Sequence, residues 1–260
     1  FSQSAALAAF KLQRPVKLRV NRDDDMMITG KRHDFRIDYE VGYDDEGRIL
    51  GADITLMSRC GYSIDYSGPV NDRACLHIDN CYYIPNLKLI SHRCKTNTQS
   101  ATAFRGFGGP QGMFGIETVI EEIANDIGKD PLDVRLLNIY KDPAVSGNPA
   151  TMVTQYGQTI ADWVGDKVID QVASEAKYRE RRDSVNAFNK VNKRRKRGLA
   201  LVPLKFGISF TATMLNQGGA LLNIYMDGSV SCNHGGTEMG QGLNTKMAQV
   251  CADGLGIDIK

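Results

Sequence analysis

The sequence lacks long hydrophobic runs and a strong charge of either sign. No apolar stretch in the 260 residues approaches the roughly 18 that a membrane-spanning helix needs. The 32 basic residues are nearly balanced by 30 acidic ones, which leaves a net charge of +2. This balance gives no reason to expect nucleic acid or an anionic membrane as a partner. The first residues also lack the pattern of a signal peptide, so we expect a soluble, cytoplasmic protein.

Motifs that hold a metal through side chains are absent as well. The six cysteines never form a C-x-x-C pair, the four histidines are scattered, and no HExxH or zinc-finger spacing occurs. Such cysteines are expected to be reduced thiols, buried or partly buried. A metal in this protein would have to be held by something other than protein side chains.

In the first 190 residues, hydrophobic periodicity predicts an N-terminal helix, then strands, and then further helices. An apolar helix should end before Pro15, and 16–20 (VKLRV) should form a strand. A hairpin is predicted around a turn at 44–47, then an irregular stretch over 61–85 and a further strand over 86–96. A helix carrying Ile116, Val119, Ile120, Ile123 and Ile127 should follow, and Gly128 would end it. A second helix should begin at Asp130-Pro131.

The rest of the chain shows the same order of strands, glycine-rich loop and helix. Residues 199–210 are predicted as β-structure, and 219–233 as a hairpin that turns at Asp227-Gly228. Between the halves lies the basic run NKVNKRRKRG (189–198). This run is either a nucleic-acid or targeting patch or, more simply, a solvated helix end or connector between two lobes. Both ends of the chain resemble the interior of a longer sequence, and we expect a segment of something larger.

Two glycine-rich stretches each precede a predicted helix. AFRGFGGPQG (103–112) carries an arginine and two phenylalanines among four glycines, and HGGTEMGQG (234–242) is the second stretch. Neither has the dinucleotide or P-loop spacing. Free N–H groups at a helix N-terminus favour an anionic ligand. From the residues alone, a cradle for a flat anionic cofactor and a tight turn beneath closely packed helices are equally good interpretations.

Residues 102–112 (TAFRGFGGPQG) and 235–247 (GGTEMGQGLNTKM) resemble the signature loops of the xanthine dehydrogenase and aldehyde oxidase family. The resemblance extends over essentially the whole chain, through NRDDDMMITGKRHDF, DRACLHIDNCYYIPN, HRCKTN and KFGISFTATMLNQGGALLNIYMDGSV. It implies an incomplete molybdenum-cofactor-binding domain of the α+β class, with two lobes of mixed sheets packed with helices. The lobes would be 1–190 and 199–260, joined by a basic connector at 191–198, with the active site between them.

The resemblance also implies how the metal is held. Members of the family bind molybdenum through the dithiolene sulfurs of a pterin (molybdopterin), so no side-chain ligand is expected. Arg105 would lie next to the molybdenum on the same loop as Gly106. Met239, Gly240 and Gln241 would belong to the second loop, whose backbone donors hold the cofactor. Phe104 is expected in the core.

Four residues correspond to the family's substrate site. Phe107 would be the ring on which a flat substrate stacks, Phe210 would meet it from a second direction, and Thr211 would donate or accept a hydrogen bond. Arg73 would stabilise the negative charge that develops on the heterocycle during hydroxylation, a catalytic role. An arginine at this position is typical of members that act on hypoxanthine and xanthine.

The implied function is part of a xanthine dehydrogenase, an enzyme that hydroxylates hypoxanthine and xanthine to urate with oxygen from water. The alternatives are an aldehyde oxidase or another hydroxylase of N-heterocycles and, from a different class, an inactive fragment or a nucleic-acid binder. The general-base glutamate, the 2Fe-2S clusters and the FAD of the family lie outside this chain. We therefore expect it to be inactive alone, and to work with iron–sulfur and FAD domains in a dimer of the full enzyme.

Overall fold

The predicted hairpin forms the sheet of the first part of the chain. In a computed structural model, which describes residues 1–259, β1 (Phe35–Tyr43) pairs antiparallel with β2 (Ile49–Gly61). The Asp44 carboxylate closes their turn by accepting hydrogen bonds from the backbone N–H groups of Glu46 and Arg48. β3 (Leu87–Lys95) joins the other edge of β2 in parallel. The sheet is therefore mixed, as predicted.

Helices cover this sheet and continue the chain beyond it. In chain order they are α1 (Ser2–Leu12), α2 (Arg22–Ile28), α3 (Ser67–Leu76), α4 (Gly109–Ile127), α5 (Pro131–Asn138), α6 (Pro143–Ser146), a 3₁₀ turn (Pro149–Met152), α7 (Gly165–Glu175) and α8 (Tyr178–Val191). α3 provides the crossover that parallel strands require between β2 and β3.

Helix α4 forms the centre of the core. Its residues Ile116, Val119, Ile120 and Ile123 are buried and belong to the same apolar cluster as Ile54 of β2. The periodicity of these residues predicted the helix. Gly128 ends α4 in the left-handed conformation, with its N–H donating to the carbonyl of Ala124, as predicted. The side chain of Asp130 then caps α5 by accepting from the N–H of Leu132, again as predicted.

Three predictions of secondary structure were wrong. Residues 16–20 and 199–210 are not strands, because none of their backbone pairs with a neighbouring strand in residues 1–259. The stretch 61–85 contains α3, which sequence patterning missed. α3 begins with Ser67, Gly68 and Pro69 and has polar residues on its inner side, so it lacks a clean apolar stripe.

The chain divides into two compact units, the first ending at Phe206 and the second beginning at Gly207. In the second unit, the hairpin of β4 (Ala220–Ile224) and β5 (Val230–His234) turns at Asp227-Gly228, as predicted. A short 3₁₀ turn (Thr213–Leu215) precedes it, and α9 (Leu243–Leu255) follows the second glycine loop. The α+β class is confirmed. The lobe limits of 1–190 and 199–260 stay a prediction.

Candidate functional site

The first glycine loop lies against the backbone of α3. Gly106, Phe107 and Gly108 all have positive φ values, of 89°, 53° and 99°. A Cβ atom on Gly108 would lie 1.9 Å from the carbonyl oxygen of Val70, and one on Gly112 would lie 2.4 Å from that of Ala74. These two glycines therefore permit close packing on α3, which is the tight-turn interpretation of the loop. The sequence left this interpretation and the cofactor cradle open.

Arg32 holds the first glycine loop through a contact that sequence reasoning missed. Its Nη2 donates to the carbonyl oxygen of Arg105 at 2.5 Å, and its guanidinium lies 4.4 Å from the ring centroid of Phe104. The other terminal nitrogen, Nη1, is buried with no hydrogen-bond partner among residues 1–259. Phe104 is 59% exposed, so its expected place in the core was wrong: the ring covers an arginine instead.

Arg73 lies on α3 and is only 5% exposed. Its guanidinium is 5.2 Å from the ring centroid of Phe206, and the His77 ring is 4.9 Å from the same ring. Nδ1 of His77 donates to the carbonyl oxygen of Arg73 at 3.0 Å. Burial lowers the pKa of His77 to about 4, so the imidazole is neutral near pH 7. Burial also lowers the pKa of Arg73, but a guanidinium keeps its charge.

Phe206 and His77 were missed because the segments that carry them were predicted as strand and irregular structure. The ring of Phe206 also occupies the space that a Cβ on Gly109, the first residue of α4, would need. Phe206 thus contacts both the buried arginine and the end of the glycine loop. A helical reading of 67–76 would have placed Arg73 and His77 one turn apart on one face.

Two further predicted residues lie on the loop that packs against α3. Phe107 is half-buried, and its ring meets that of Tyr66 edge-on, with centroids 6.1 Å apart. Arg105 is exposed. The first unit therefore brings Arg73, Arg105 and Phe107 onto one helix and the loop beside it.

The second glycine loop is held by Glu238, which sequence reasoning also missed. Its carboxylate accepts hydrogen bonds from the backbone N–H groups of Gly240 at 2.6 Å, Gly242 at 3.1 Å and Leu243 at 2.5 Å. These donors, the N–H of Gly242 foremost, lower the pKa of Glu238. A loop that binds its own carboxylate at the start of α9 has the donor arrangement of an anion site.

Gln241 also closes this loop. Its Oε1 accepts from the N–H of Met239 at 2.5 Å, and its Nε2 donates to the carbonyl of Thr237 at 2.8 Å. Met239, Gly240 and Gln241, the predicted cofactor residues, are thus all present on one ordered turn. In this structure their polar groups bond to the chain itself.

Phe210 and Thr211 precede the 3₁₀ turn of the second unit, and both are half-buried. The Asn216 side chain accepts from the N–H of Phe210 at 2.7 Å and donates to its carbonyl at 2.9 Å. This amide fixes the backbone at Phe210, and the sequence gave no signal for it.

Glu238→Gln is expected to loosen the second glycine loop, because the substitution removes the charge that the three N–H groups share. Amide hydrogen exchange over 235–245 should become faster, as measured by mass spectrometry. Asp253→Asn on the exposed side of α9 is the matched control and should leave exchange unchanged. A group with a lowered pKa stabilises the fold above its ordinary value of 4.5 and loses this effect as the pH falls. The variant and the parent chain should therefore exchange alike at low pH, and a difference that persists there would contradict this role.

Side-chain metal clusters and membrane-spanning helices are both absent from residues 1–259. Within residues 1–259 there is no group of three or more His, Cys, Asp or Glu side chains that could hold a metal ion. In the same part of the chain, every helix is too short or too polar to cross a membrane.

The α+β chain thus has two glycine loops, each at the N-terminus of a helix, α4 or α9, an arrangement that suits an anionic ligand. Comparison with protein families is more specific. Residues 1–139 match the family model of the molybdopterin cofactor-binding domain, and residues 171–260 match a second model with the same description. The chain belongs to the molybdopterin cofactor-binding domain family.

Individual relatives cover almost all of the chain. It is 47% identical over 255 residues to the xanthine dehydrogenase of Drosophila pseudoobscura pseudoobscura, and 46% identical over 256 residues to the nicotinate hydroxylase of Emericella nidulans. Each alignment spans 98% of this chain but only 18% of the relative. Among solved structures, the aldehyde oxidoreductase of Desulfovibrio desulfuricans is 27% identical with a TM-score of 0.58, over 71% of this chain and 19% of that one.

Proposed function

We propose that this chain is a segment of the molybdenum-binding part of a xanthine dehydrogenase, and that the full enzyme hydroxylates hypoxanthine and xanthine. The observation that carries this proposal is the buried Arg73 of α3, whose guanidinium lies 5.2 Å from the centroid of the Phe206 ring and whose carbonyl accepts a hydrogen bond from His77. A buried cation beside a loop with an exposed arginine and a half-buried aromatic ring suits a flat heterocycle that gains negative charge.

Both loops carry donors of the kind that an anionic cofactor rich in acceptor atoms needs, although those of the second loop bond to Glu238, Gln241 and Thr237 in this structure. In the first unit, Arg32 Nη1 is a buried donor that lacks a partner among residues 1–259, and it belongs to the side chain that holds the carbonyl of Arg105. Arg105 and Gly106 are proposed to lie beside the molybdenum and its dithiolene. When bound, the cofactor supplies the redox centre through which oxygen derived from water reaches the substrate carbon.

The second unit offers its own set of donors. The turn that contains Met239, Gly240 and Gln241 already binds the Glu238 carboxylate, through the N–H groups of Gly240 and Gly242. We propose that this turn contacts the cofactor through the backbone, with Gln241 adding its side-chain amide. The Glu238 carboxylate keeps the turn in shape.

Substrate contacts are assigned to four residues. Phe107 provides a face for stacking, Phe210 an edge, and Thr211 a hydroxyl for a hydrogen bond. Arg73 provides a buried positive charge, and its guanidinium packs against the ring of Phe206. Since these groups only bind, orient and stabilise charge, the proton transfer of the reaction is assigned to a general base outside this chain.

A second candidate is a hydroxylase of another N-heterocycle or an aldehyde. The observation that favours it is that similarity to a nicotinate hydroxylase, at 46%, is nearly as high as similarity to a xanthine dehydrogenase, at 47%. The contribution of Arg73 to activity on purines distinguishes the two candidate functions.

Arg73→Met in the full-length enzyme tests the proposal, because methionine fills similar space without the charge. We expect kcat/KM for xanthine to fall roughly 30–150-fold, which corresponds to a loss of about 2–3 kcal/mol of transition-state stabilisation. The value for an aromatic aldehyde should change little. Molybdenum content should be unchanged. The exposed Arg36 provides the control, Arg36→Met. An equal loss for both substrates would sink the purine assignment and favour the second candidate.

The wider setting of the chain is also a proposal. We propose partner domains or subunits that carry 2Fe-2S clusters and FAD, a dimer of the full enzyme, and a cytoplasmic location. The chain spans about 18% of the xanthine dehydrogenases it matches, which leaves room for such domains. We also retain lobes at 1–190 and 199–260, and the exposure of residues 193–197 supports a solvated connector.

A further inference from the structure

Two cysteines of the second unit face one another. Cys232 lies on β5 and Cys251 on α9, and both are half-buried. Both line a single cavity of about 510 Å³ between the strand and the helix. The sequence predicted no pairing, because the two thiols are far apart along the chain and form no C-x-x-C motif.

The secondary structure explains why they meet. Side chains alternate along a strand, so Val230, Cys232 and His234 share one face of β5, and all three line the cavity. On α9, Met247 and Cys251 are one turn apart and line the same cavity. The inner face of the helix therefore stands opposite the face of the strand that carries Cys232.

Cys232 also affects the ionisation of Cys251. A hydrogen bond with Cys232 raises the pKa of Cys251, which therefore keeps its proton near neutral pH. The other cysteines, Cys60, Cys75, Cys81 and Cys94, belong to the first unit. Burial raises the pKa of Cys81 to about 12.

We propose that Cys232 and Cys251 form a redox-active dithiol that a small disulfide of the oxidised glutathione type converts into an internal disulfide bond. One cysteine, as its thiolate, attacks the small disulfide, forms a mixed disulfide and releases one reduced thiol. The second cysteine loses its proton, displaces the bound thiol and closes the Cys232–Cys251 bond. The two cysteines lose two electrons and two protons, and one small disulfide becomes two thiols.

The bond would act on the second glycine loop. Cys232 precedes this loop and Cys251 follows it, so the disulfide closes residues 233–250 into a ring that contains Glu238 and the proposed cofactor contacts. Closing a ring limits the conformations open to the chain within it. The oxidised loop should therefore hold its shape more firmly than the reduced one.

The purified protein that contains this chain is incubated with oxidised glutathione, its remaining free thiols are alkylated, and it is digested with trypsin without reduction. Cleavage after Lys205, Lys246 and Lys260 gives the peptides 206–246 and 247–260, which contain Cys232 and Cys251 as their single cysteines. We expect mass spectrometry to find the two peptides linked, and to find them separate after reduction. Amide exchange over 235–242 should be slower in the oxidised protein.

Three controls make the result decisive. Cys232→Ser and Cys251→Ser should each abolish the link, whereas Cys94→Ser, which removes a half-buried thiol of the first unit, should retain it. The link should form about tenfold or more faster in the folded protein than in urea, since folding brings the thiols together. Alkylation of both cysteines, or lasting glutathione adducts on either, would overturn the proposal. A link that forms only in urea would do the same.

Discussion

Arg135→Ala is expected to lower the free energy of unfolding by about 3–5 kcal/mol, because it leaves a partly buried carboxylate without its cation. The Arg135 side chain is 1% exposed, and it bonds to Glu117 at 2.8 Å and to Glu121 at 2.6 Å. Glu117 also accepts from the hydroxyl of Tyr82 at 2.5 Å and from the side-chain amide of Asn80 at 2.9 Å. Burial opposes the charge of the guanidinium, but Glu121 and Glu117 raise the pKa of Arg135 above its ordinary value.

The same residue connects two helices, since Arg135 is on α5 and both glutamates are on α4. Denaturant unfolding followed by circular dichroism measures the effect. Arg179→Ala is the matched control: Arg179 bonds to Asp133 but is 54% exposed, so its loss should cost no more than about 1 kcal/mol. Similar effects of the two substitutions would show that burial of the Arg135 cluster contributes little.

Gly108→Ala is expected to destabilise the chain by at least about 3 kcal/mol and to displace the first glycine loop. The added Cβ would lie 1.9 Å from the carbonyl oxygen of Val70, a backbone atom that cannot move unless α3 moves. The φ value of 99° adds strain for any residue with a side chain. Under the proposed function, in which this loop lies beside the molybdenum, the full-length protein should also bind less molybdenum.

Gly128→Ala distinguishes the steric clash with α3 from the backbone strain of a positive φ. Gly128 also has a positive φ, of 69°, but a Cβ there would have nothing within 4 Å. Its substitution should cost only the strain, about 1 kcal/mol, and molybdenum content should remain normal. Equal losses at Gly108 and Gly128 would mean that the contact with α3 is not what requires glycine in the loop.

Much of the framework could be predicted from the sequence, because local rules determined it. The spacing of Ile116, Val119, Ile120 and Ile123 predicted α4, and Asp130-Pro131 predicted the start of α5. The turn signals at 44–47 and at Asp227-Gly228 predicted both hairpins. The two glycine loops carried the resemblance to the family, since their residues are unusual enough to be recognised without a structure.

The predicted strands at 16–20 and 199–210 failed because a strand depends on a partner, and local alternation cannot supply one. Helix α3 was missed for a different reason, which is that its buried side is partly polar. Its buried side includes Asn71 and Arg73, and the Asn71 amide donates to the hydroxyl of the distant Ser58. A pattern of polar and apolar residues cannot reveal a polar side chain that is buried with partners.

The sequence by itself determined the family, the α+β class and the residues of the two glycine loops, because these depend on residue identity and short-range periodicity. Only the tertiary structure decided that Gly108 is required by the backbone of α3, that Arg32 holds the carbonyl of Arg105, and that Cys232 meets Cys251. Each of these contacts joins residues that are distant along the chain. Such pairs are brought together by packing of helices and sheets, which no local pattern records.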